Sequence, residues 1–304
     1  RTLRYASPMQ SLLLLLPDFS LILIGALLRR YVVFPDGFWP GVEKLVYFVL
    51  FPALLFNALA NVRIDAAAMF PLVAAGLCVL VSGFLLGLAG RPLMGLGPMA
   101  FASRLQCAYR FNTYIGIALA GKLHGTLGVA VMGGLAGAMV PFANLMAVGM
   151  LARHGQVGVL REISRNPLVI ATVCGLLYNV FGPELGASVS AVLNRLGGAA
   201  VTLGLLAVGA ALRWGRIEGS WAGAGWIVVV KLMLLPAIAW LLGRQLGLDG
   251  MMFELLILFA ALPSASSAYI LAMRMGGDGP GVAWLISATT LLAMPTIALW
   301  LQVI

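Results

Sequence analysis

Ten apolar runs, parted by short loops that carry most of the charge, leave this chain of 304 residues few folds to choose from. Judged by length and by breaker positions, they cover roughly 11–30, 42–61, 69–90, 99–121, 126–150, 166–183, 189–212, 221–243, 251–273 and 281–303. A helix rises about 1.5 Å per residue, so about 20 residues cross the ~30 Å hydrocarbon core of a bilayer. With 62% hydrophobic residues, 10% charged residues and a mean hydropathy of +1.04, an ordinary soluble globule is excluded. The expected class is an all-α integral membrane protein of ten spans, five and five. An odd number per half makes the second half enter from the opposite side, which is the condition for an inverted repeat.

The formal net charge is +9, but the basic residues stand singly at the ends of the runs. That pattern orients a chain in lipid and does not build a nucleic-acid surface. Arg29, Arg30, Arg91, Arg153, Arg161, Arg165, Arg213, Arg216 and Arg274 fall on one side, and Arg63, Lys122, Arg195 and Arg244 on the other. The richer side is expected in the cytoplasm, which puts both termini outside an inner (plasma) membrane. Residues 1–10 are expected to be an upstream segment, with Met9 as the natural start. Residues 11–150 then form the first five-helix repeat, 151–165 a cytoplasmic linker and 166–304 the second repeat, opening on Asn166-Pro167 as N-cap and first helical position. Cys78, Cys107 and Cys174 have neither CxxC nor Cys/His spacing, so they are expected as buried, unpaired thiols; no metal or other cofactor is indicated.

Two runs are interrupted. LPSASSAYILAMRMGG (262–277) sets a proline and several small polar residues inside a lipid-compatible helix. The backbone groups freed there are tolerated at membrane depth only where protein or a water-filled cavity covers them, so the break is expected to line a site. Residues 111–125, FNTYIGIALAGKLHG, match 263–277 at an offset of about 152, pairing Leu119 with Leu271, Ala120 with Ala272, Lys122 with Arg274 and Gly125 with Gly277. Gly128-Val129-Ala130 likewise answers Gly281-Val282-Ala283, with Pro141 and Pro295 further on. The first interruption has no proline; its signals are Arg110, Asn112, Thr113 and Gly116.

Asn112 is suited to cap a restarted half-helix, and Ser264, Ser266 and Ser267 to do the same in the other half. Packing by small residues is the competing account of the serines. Two helix starts meeting near the midplane, with Arg110 or Lys231 close by, would favour a carboxylate over a cation. Within the runs the ionisable groups are Asp18, Arg104, Arg110, Lys231 and Glu254. Arg104 and Glu254 lie near run ends, where interface anchoring accounts for them, and a structural pair with a carbonyl or carboxylate is the alternative for Lys231. Pro52 kinks the second run and leaves Asn57 a turn later to border the cavity. His124 and His154 fall at loop positions, expected at the surface, and no nucleophile with a base accompanies them. No GxxxxGK[ST] pattern occurs, which disfavours ATP-driven transport by this chain alone. The chain is therefore not expected to be an enzyme.

Taken in order, FPALLFNALANV (51–62), RFNTYIGIAL (110–119), NPLVIATVCGLL (166–177), LGLLAVGAALR (203–213), KLMLLPAIAW (231–240), LPSASSAYILAMRMGGD (262–278) and ISATTLLAMPTIALW (286–300) resemble the auxin efflux carrier family. Its members include the plant auxin exporters and bacterial carriers such as malonate transporters, and the likeness runs from Leu12 onward. The resemblance implies a five-plus-five inverted repeat with a scaffold part and a transport part, the latter moving as an elevator and carrying two crossed broken helices, here the fourth and ninth runs. It implies substrate contact at Asn112, Thr113, Pro263 and Ser264, with Asn57 on the scaffold wall. Phe111 stands where a crossing proline would strengthen the match, and the short linker is similar to the bacterial branch. The implied function is efflux of small organic anions, auxin-like or dicarboxylate, by alternating access. The partners are the carboxylate and membrane lipid, with a homodimer and coupling to sodium or protons left open. A sodium-coupled bile-acid-type symporter and a ligand sensor that does not transport are the alternatives.

Overall fold

The computed structural model describes residues 8–61, 66–151, 167–183, 185–213 and 219–303, and among them there are helices and no strands. In chain order they are α1 (Pro8–Tyr31), α2 (Phe38–Leu45), α3 (Phe51–Asn61), α4 (Ala66–Ala89), α5 (Arg91–Met94), α6 (Pro98–Leu105), α7 (Thr113–Leu151), α8 (Pro167–Phe181), α9 (Ala187–Ala211), α10 (Trp221–Val229), α11 (Leu235–Gln245), α12 (Gly250–Ala261), α13 (Ser267–Arg274) and α14 (Gly279–Val303). The linker after Leu151, with Arg153, His154, Arg161, Arg165 and Asn166, lies outside the described residues, as do Arg63, Arg216 and the segment before Pro8. Six described stretches are long and apolar enough to cross a membrane: Phe38–Asn61, Met69–Ala89, Pro98–Leu151, Ala187–Ala211, Trp221–Gln245 and Gly279–Val303. Ile170–Phe181 and Gly250–Ala261 are shorter apolar helices.

Proline shapes these helices both at their starts and inside them. Pro98 and Pro167 occupy the first helical position of α6 and α8, where the missing N–H costs nothing. Inside a span the cost is met by widening the helix. π-helical turns at Val46–Leu50 and Val230–Leu234 join α2 to α3 and α10 to α11, just ahead of Pro52 and Pro236. Pro236 cannot bond the carbonyl of Leu232 four residues back; the indole N–H of Trp300 donates to that carbonyl instead, at 3.1 Å.

The 54 residues from Pro98 to Leu151 do not run straight. Gly125 has φ 59° and ψ −146°, a left-handed backbone that side chains resist, and it folds α7 back on itself. The closeness of the two arms is visible at Gly128, where a Cβ would sit 2.2 Å from the Ala120 carbonyl oxygen. The arms, 113–124 and 126–151, reproduce the boundary between the expected fourth and fifth runs.

α1, α3, α8 and α9 pack on one another, and α4, α7, α11, α12 and α14 form a second group with α6 and α10 against them. Contact between the groups runs through α1 on α14 and α7 and through α7 on α3, α8 and α9. Small residues let α1 and α9 approach closely: a Cβ on Gly209 would lie 1.8 Å from the backbone oxygen of Ile22. Leu85, Phe142, Leu145, Leu176, Phe181, Val192, Leu241 and Leu299 are exposed on the perimeter, an apolar belt that suits lipid.

Candidate functional site

Both interrupted runs are broken where the sequence places the interruptions. α6 ends at Leu105, tightens into a 3-10 turn at Gln106–Ala108, loses helical geometry through Tyr109–Asn112 and restarts as α7. α12 ends at Ala261, and Leu262–Ala265 are non-helical before α13 begins. Pro263 accounts for the second break, because proline disfavours helical geometry in the residue before it, and Leu262 sits at φ −59°, ψ 142°. The two breaks touch through their backbones: the N–H of Asn112 donates to the carbonyl of Pro263 at 2.9 Å.

Side chains finish the job where no proline acts. The Oδ1 of Asn112 accepts from the N–H groups of Tyr114 (3.0 Å) and Ile115 (3.2 Å), capping α7. Ser264 is fully buried; its hydroxyl donates to the Cys107 carbonyl at 2.6 Å, closing the end of the opposite half-helix. Its N–H is received by Thr289 Oγ1 at 3.2 Å, which ties the crossing to α14. Gln106 Nε2 reaches the Ala268 carbonyl at 3.2 Å. The buried guanidinium of Arg110 donates to Gln106 Oε1 (3.2 Å), Asn144 Oδ1 (2.9 Å) and Ser267 Oγ (3.1 Å), linking both breaks to the second arm of α7.

On the two breaks and on α14 the buried polar atoms without a hydrogen-bond partner include Tyr109 Oη, Asn112 Nδ2, Ser266 Oγ and Thr290 Oγ1. Leaving a buried donor unsatisfied costs about 1–3 kcal/mol, so each of these atoms calls for a partner. Thr113 opens α7 half-buried, and Ser267 opens α13 on an exposed position. Asn112, Thr113, Pro263, Ser264, Ser266, Ser267 and Arg110 thus belong to the two breaks and their immediate helix starts.

Asn57 and Lys231 are engaged elsewhere. Asn57 is buried, but its Nδ2 donates to Asn194 Oδ1 at 2.8 Å, and Asn61 donates to its Oδ1 at 3.0 Å, so its amide joins α3 to α9. The α3 residue on the crossing helix is Phe51, whose ring stacks on Tyr114 at 4.5 Å and 13°, with Gly204 of α9 against both. Lys231 Nζ, buried on the π turn, donates to the Ala260 carbonyl at 3.2 Å, just before the second break.

Three expectations about single residues are corrected. Arg104 does not anchor at the interface: it is 3% exposed and pairs with Asp278 at 2.5 Å, and Asp278 in turn accepts the Gly281 N–H. Glu254, likewise expected to anchor at the interface, is 12% exposed, and its Oε2 lies 2.9 Å from Nε2 of the half-buried His124, at ion-pair distance but without hydrogen-bond alignment. Cys107 is buried, whereas Cys78 and Cys174 are exposed, all three unpaired. Gln106, Asn144, Thr289, Thr290 and Phe51 were missed as members of the site. A polar residue every turn on an otherwise apolar run, as in Ser287 and the Thr289-Thr290 pair, was the available signal for part of this set.

Among the described residues no group of three His, Cys, Asp or Glu could hold a metal ion. Two shallow concavities, of about 600 Å³ by Leu88, Arg91 and Leu96 and about 440 Å³ by Phe56, Tyr178 and Phe181, lie apart from the crossing residues.

A family model described as membrane transport protein matches residues 150–301, half of the chain. A protein named "Uncharacterized transporter" from Methanothermobacter thermautotrophicus is 25% identical over 92% of this chain and 94% of its own length. One named "Putative malonate transporter" from Rhizobium meliloti is 25% identical over 93% of this chain and 92% of its own. A further uncharacterized transporter, from Methanocaldococcus jannaschii, is 23% identical over 96% of this chain and 97% of its own.

Proposed function

Because the chain belongs to the membrane transport protein family and is an all-helical multi-pass membrane protein, we propose that it is a secondary transporter of small organic anions working by alternating access. The observation that carries the anion reading is the Asn112 side chain. Its oxygen is consumed in capping α7, while its Nδ2 is left buried without a partner beside the point where Asn112 donates to Pro263. An unused amide donor next to the starts of α7 and α13 suits a carboxylate, which accepts hydrogen bonds and gains from the positive end of a helix. The relative named for malonate supports a dicarboxylate as the first ligand to try.

In this reading the arms of α7 and the joined α2–α3 and α10–α11 resolve the chain into ten spans, an inverted five-plus-five repeat in the inner membrane with both termini outside. α1, α3, α8 and α9 serve as scaffold, and the group holding the crossing moves against them. Purified protein in liposomes is expected to move radiolabelled malonate or indole-3-acetate, and Asn112→Ala with Ser264→Ala to abolish that movement. Binding without flux would replace the transporter by a sensor. Unchanged flux in the double variant would remove the crossing as the site, and flux only with sodium would favour a sodium symporter.

A further inference from the structure

Four helix ends meet at the crossing, and two of them point the wrong way for an anion. The starts of α7 and α13 present positive dipole ends, but the 3-10 turn closing at Ala108 and the end of α12 at Ala261 present carbonyls, each end worth about half a negative charge. A carboxylate placed there would be attracted by one pair and repelled by the other unless the second pair is offset.

The structure offsets both from behind. At the first end the Ser264 hydroxyl occupies the Cys107 carbonyl, and Arg110 follows two residues on. At the second, the Nζ of Lys231 donates to the Ala260 carbonyl from a side chain 1% exposed. Among the described residues the acidic side chains at ion-pair distance are claimed by others, Asp278 by Arg104, Asp18 by Lys122 and Glu254 by His124, so Lys231 is matched with a helix end and not with a carboxylate. Ala260 is three residues before Pro263, whose carbonyl receives Asn112. Placing lysine there takes a wide turn: it stands on the π-helical Val230–Leu234, ahead of Pro236.

We propose that Lys231 is a specificity-determining positioning residue, whose ammonium offsets the negative end of α12 and leaves the crossing electropositive toward a carboxylate that it does not touch. The assignment rests on the crossing being the anion site. A charge at a helix end that is partly or wholly buried is worth roughly 5- to 30-fold in affinity, and that is the size of effect to look for.

The test measures binding by purified protein of small carboxylates, each paired with its uncharged amide: malonate with malonamide and benzoate with benzamide. Lys231→Met keeps the apolar stem without the charge, and Lys231→Arg keeps the charge. The expected result is a fall of roughly 5- to 30-fold in carboxylate affinity for Lys231→Met with amide affinity unchanged, and a retained carboxylate preference for Lys231→Arg. An equal fall for acid and amide, or none, assigns Lys231 to packing and overturns the inference alone. Should Lys231→Met fail to assemble, loss of the preference in a folded Lys231→Arg overturns it equally. A wild-type protein that binds no acid better than its amide overturns the anion reading and this inference together.

Discussion

On the proposed function Asn112 does two jobs with two atoms, and Asn112→Asp separates them. The capping oxygen survives the change, so the bonds from Tyr114 (3.0 Å) and Ile115 (3.2 Å) persist. Asp and Asn cap equally well, and a carboxylate at a helix start gains ~0.3–1 kcal/mol from the dipole, which offsets part of the cost of burying the charge at a position 3% exposed. The unpartnered Nδ2, in contrast, becomes an oxygen. A lost hydrogen bond to a charged ligand costs about 1.5–3 kcal/mol, roughly 10- to 150-fold in affinity, and repulsion between two carboxylates adds to it. Asn112→Ala loses both functions, with about 1 kcal/mol of cap gone as well as the donor. Thermal unfolding in detergent and malonate binding by calorimetry should therefore dissociate. Asp should keep the cap bonds that Ala loses and bind at least ~50-fold more weakly, while Ala should lose cap and donor together. Malonate affinity in Asn112→Asp within threefold of wild type would show that Nδ2 does not face the ligand, and equal destabilisation by Asp and Ala would refute the cap.

Arg104→Met should cost up to about 3 kcal/mol of stability by leaving Asp278, 12% exposed, without its guanidinium partner, and the double variant with Asp278→Leu should recover part of it, both read from thermal unfolding. Gly209→Leu should prevent α1 from seating on α9, since even a Cβ would sit 1.8 Å from the Ile22 oxygen; size-exclusion chromatography should show aggregate, and a monodisperse peak would refute the packing. Lys122→Met removes the 3.1 Å pair to Asp18, which is part-exposed and ties α7 to α1 across the two helix groups. Stability should change by less than ~1 kcal/mol, while the rate of malonate flux in liposomes should change at unaltered affinity; an unchanged rate would show that the pair does not restrain the motion.

How much of this was legible beforehand differed from residue to residue. The break at 262–266 could be read because proline acts on its own backbone and on the residue before it, whatever surrounds them. The break at 109–112 was marked by Arg110, Asn112, Thr113 and Gly116 together with its likeness to the other, since nothing local forbids a helix through Tyr109-Arg110-Phe111; it is kept open from outside the segment by Ser264, Ala268 and Ser267, which bond Cys107, Gln106 and Arg110. Lys231 and Arg104 were flagged because charge inside an apolar run is costly. Their partners could not be named, because Ala260 and Asp278 lie 29 and 174 residues away. Asn57 was expected on the scaffold wall from its distance to Pro52; its bond to Asn194 joins α3 to α9, and the residue stacked on Tyr114, Phe51, carried no polar signal to single it out.

The amino-acid order alone settled everything governed by length and by local backbone chemistry: a chain too apolar for water, helices ended by Pro263 and reversed by Gly125, and charge kept mostly in the loops. It also marked Asn112 as a cap, since capping is completed within three residues. The tertiary structure decided which ends meet and which atoms remain unspent. Asn112 donates to Pro263 across about 150 residues of sequence, and Lys231 reaches the end of α12 across 29, and contacts of that range depend on packing that no single segment encodes.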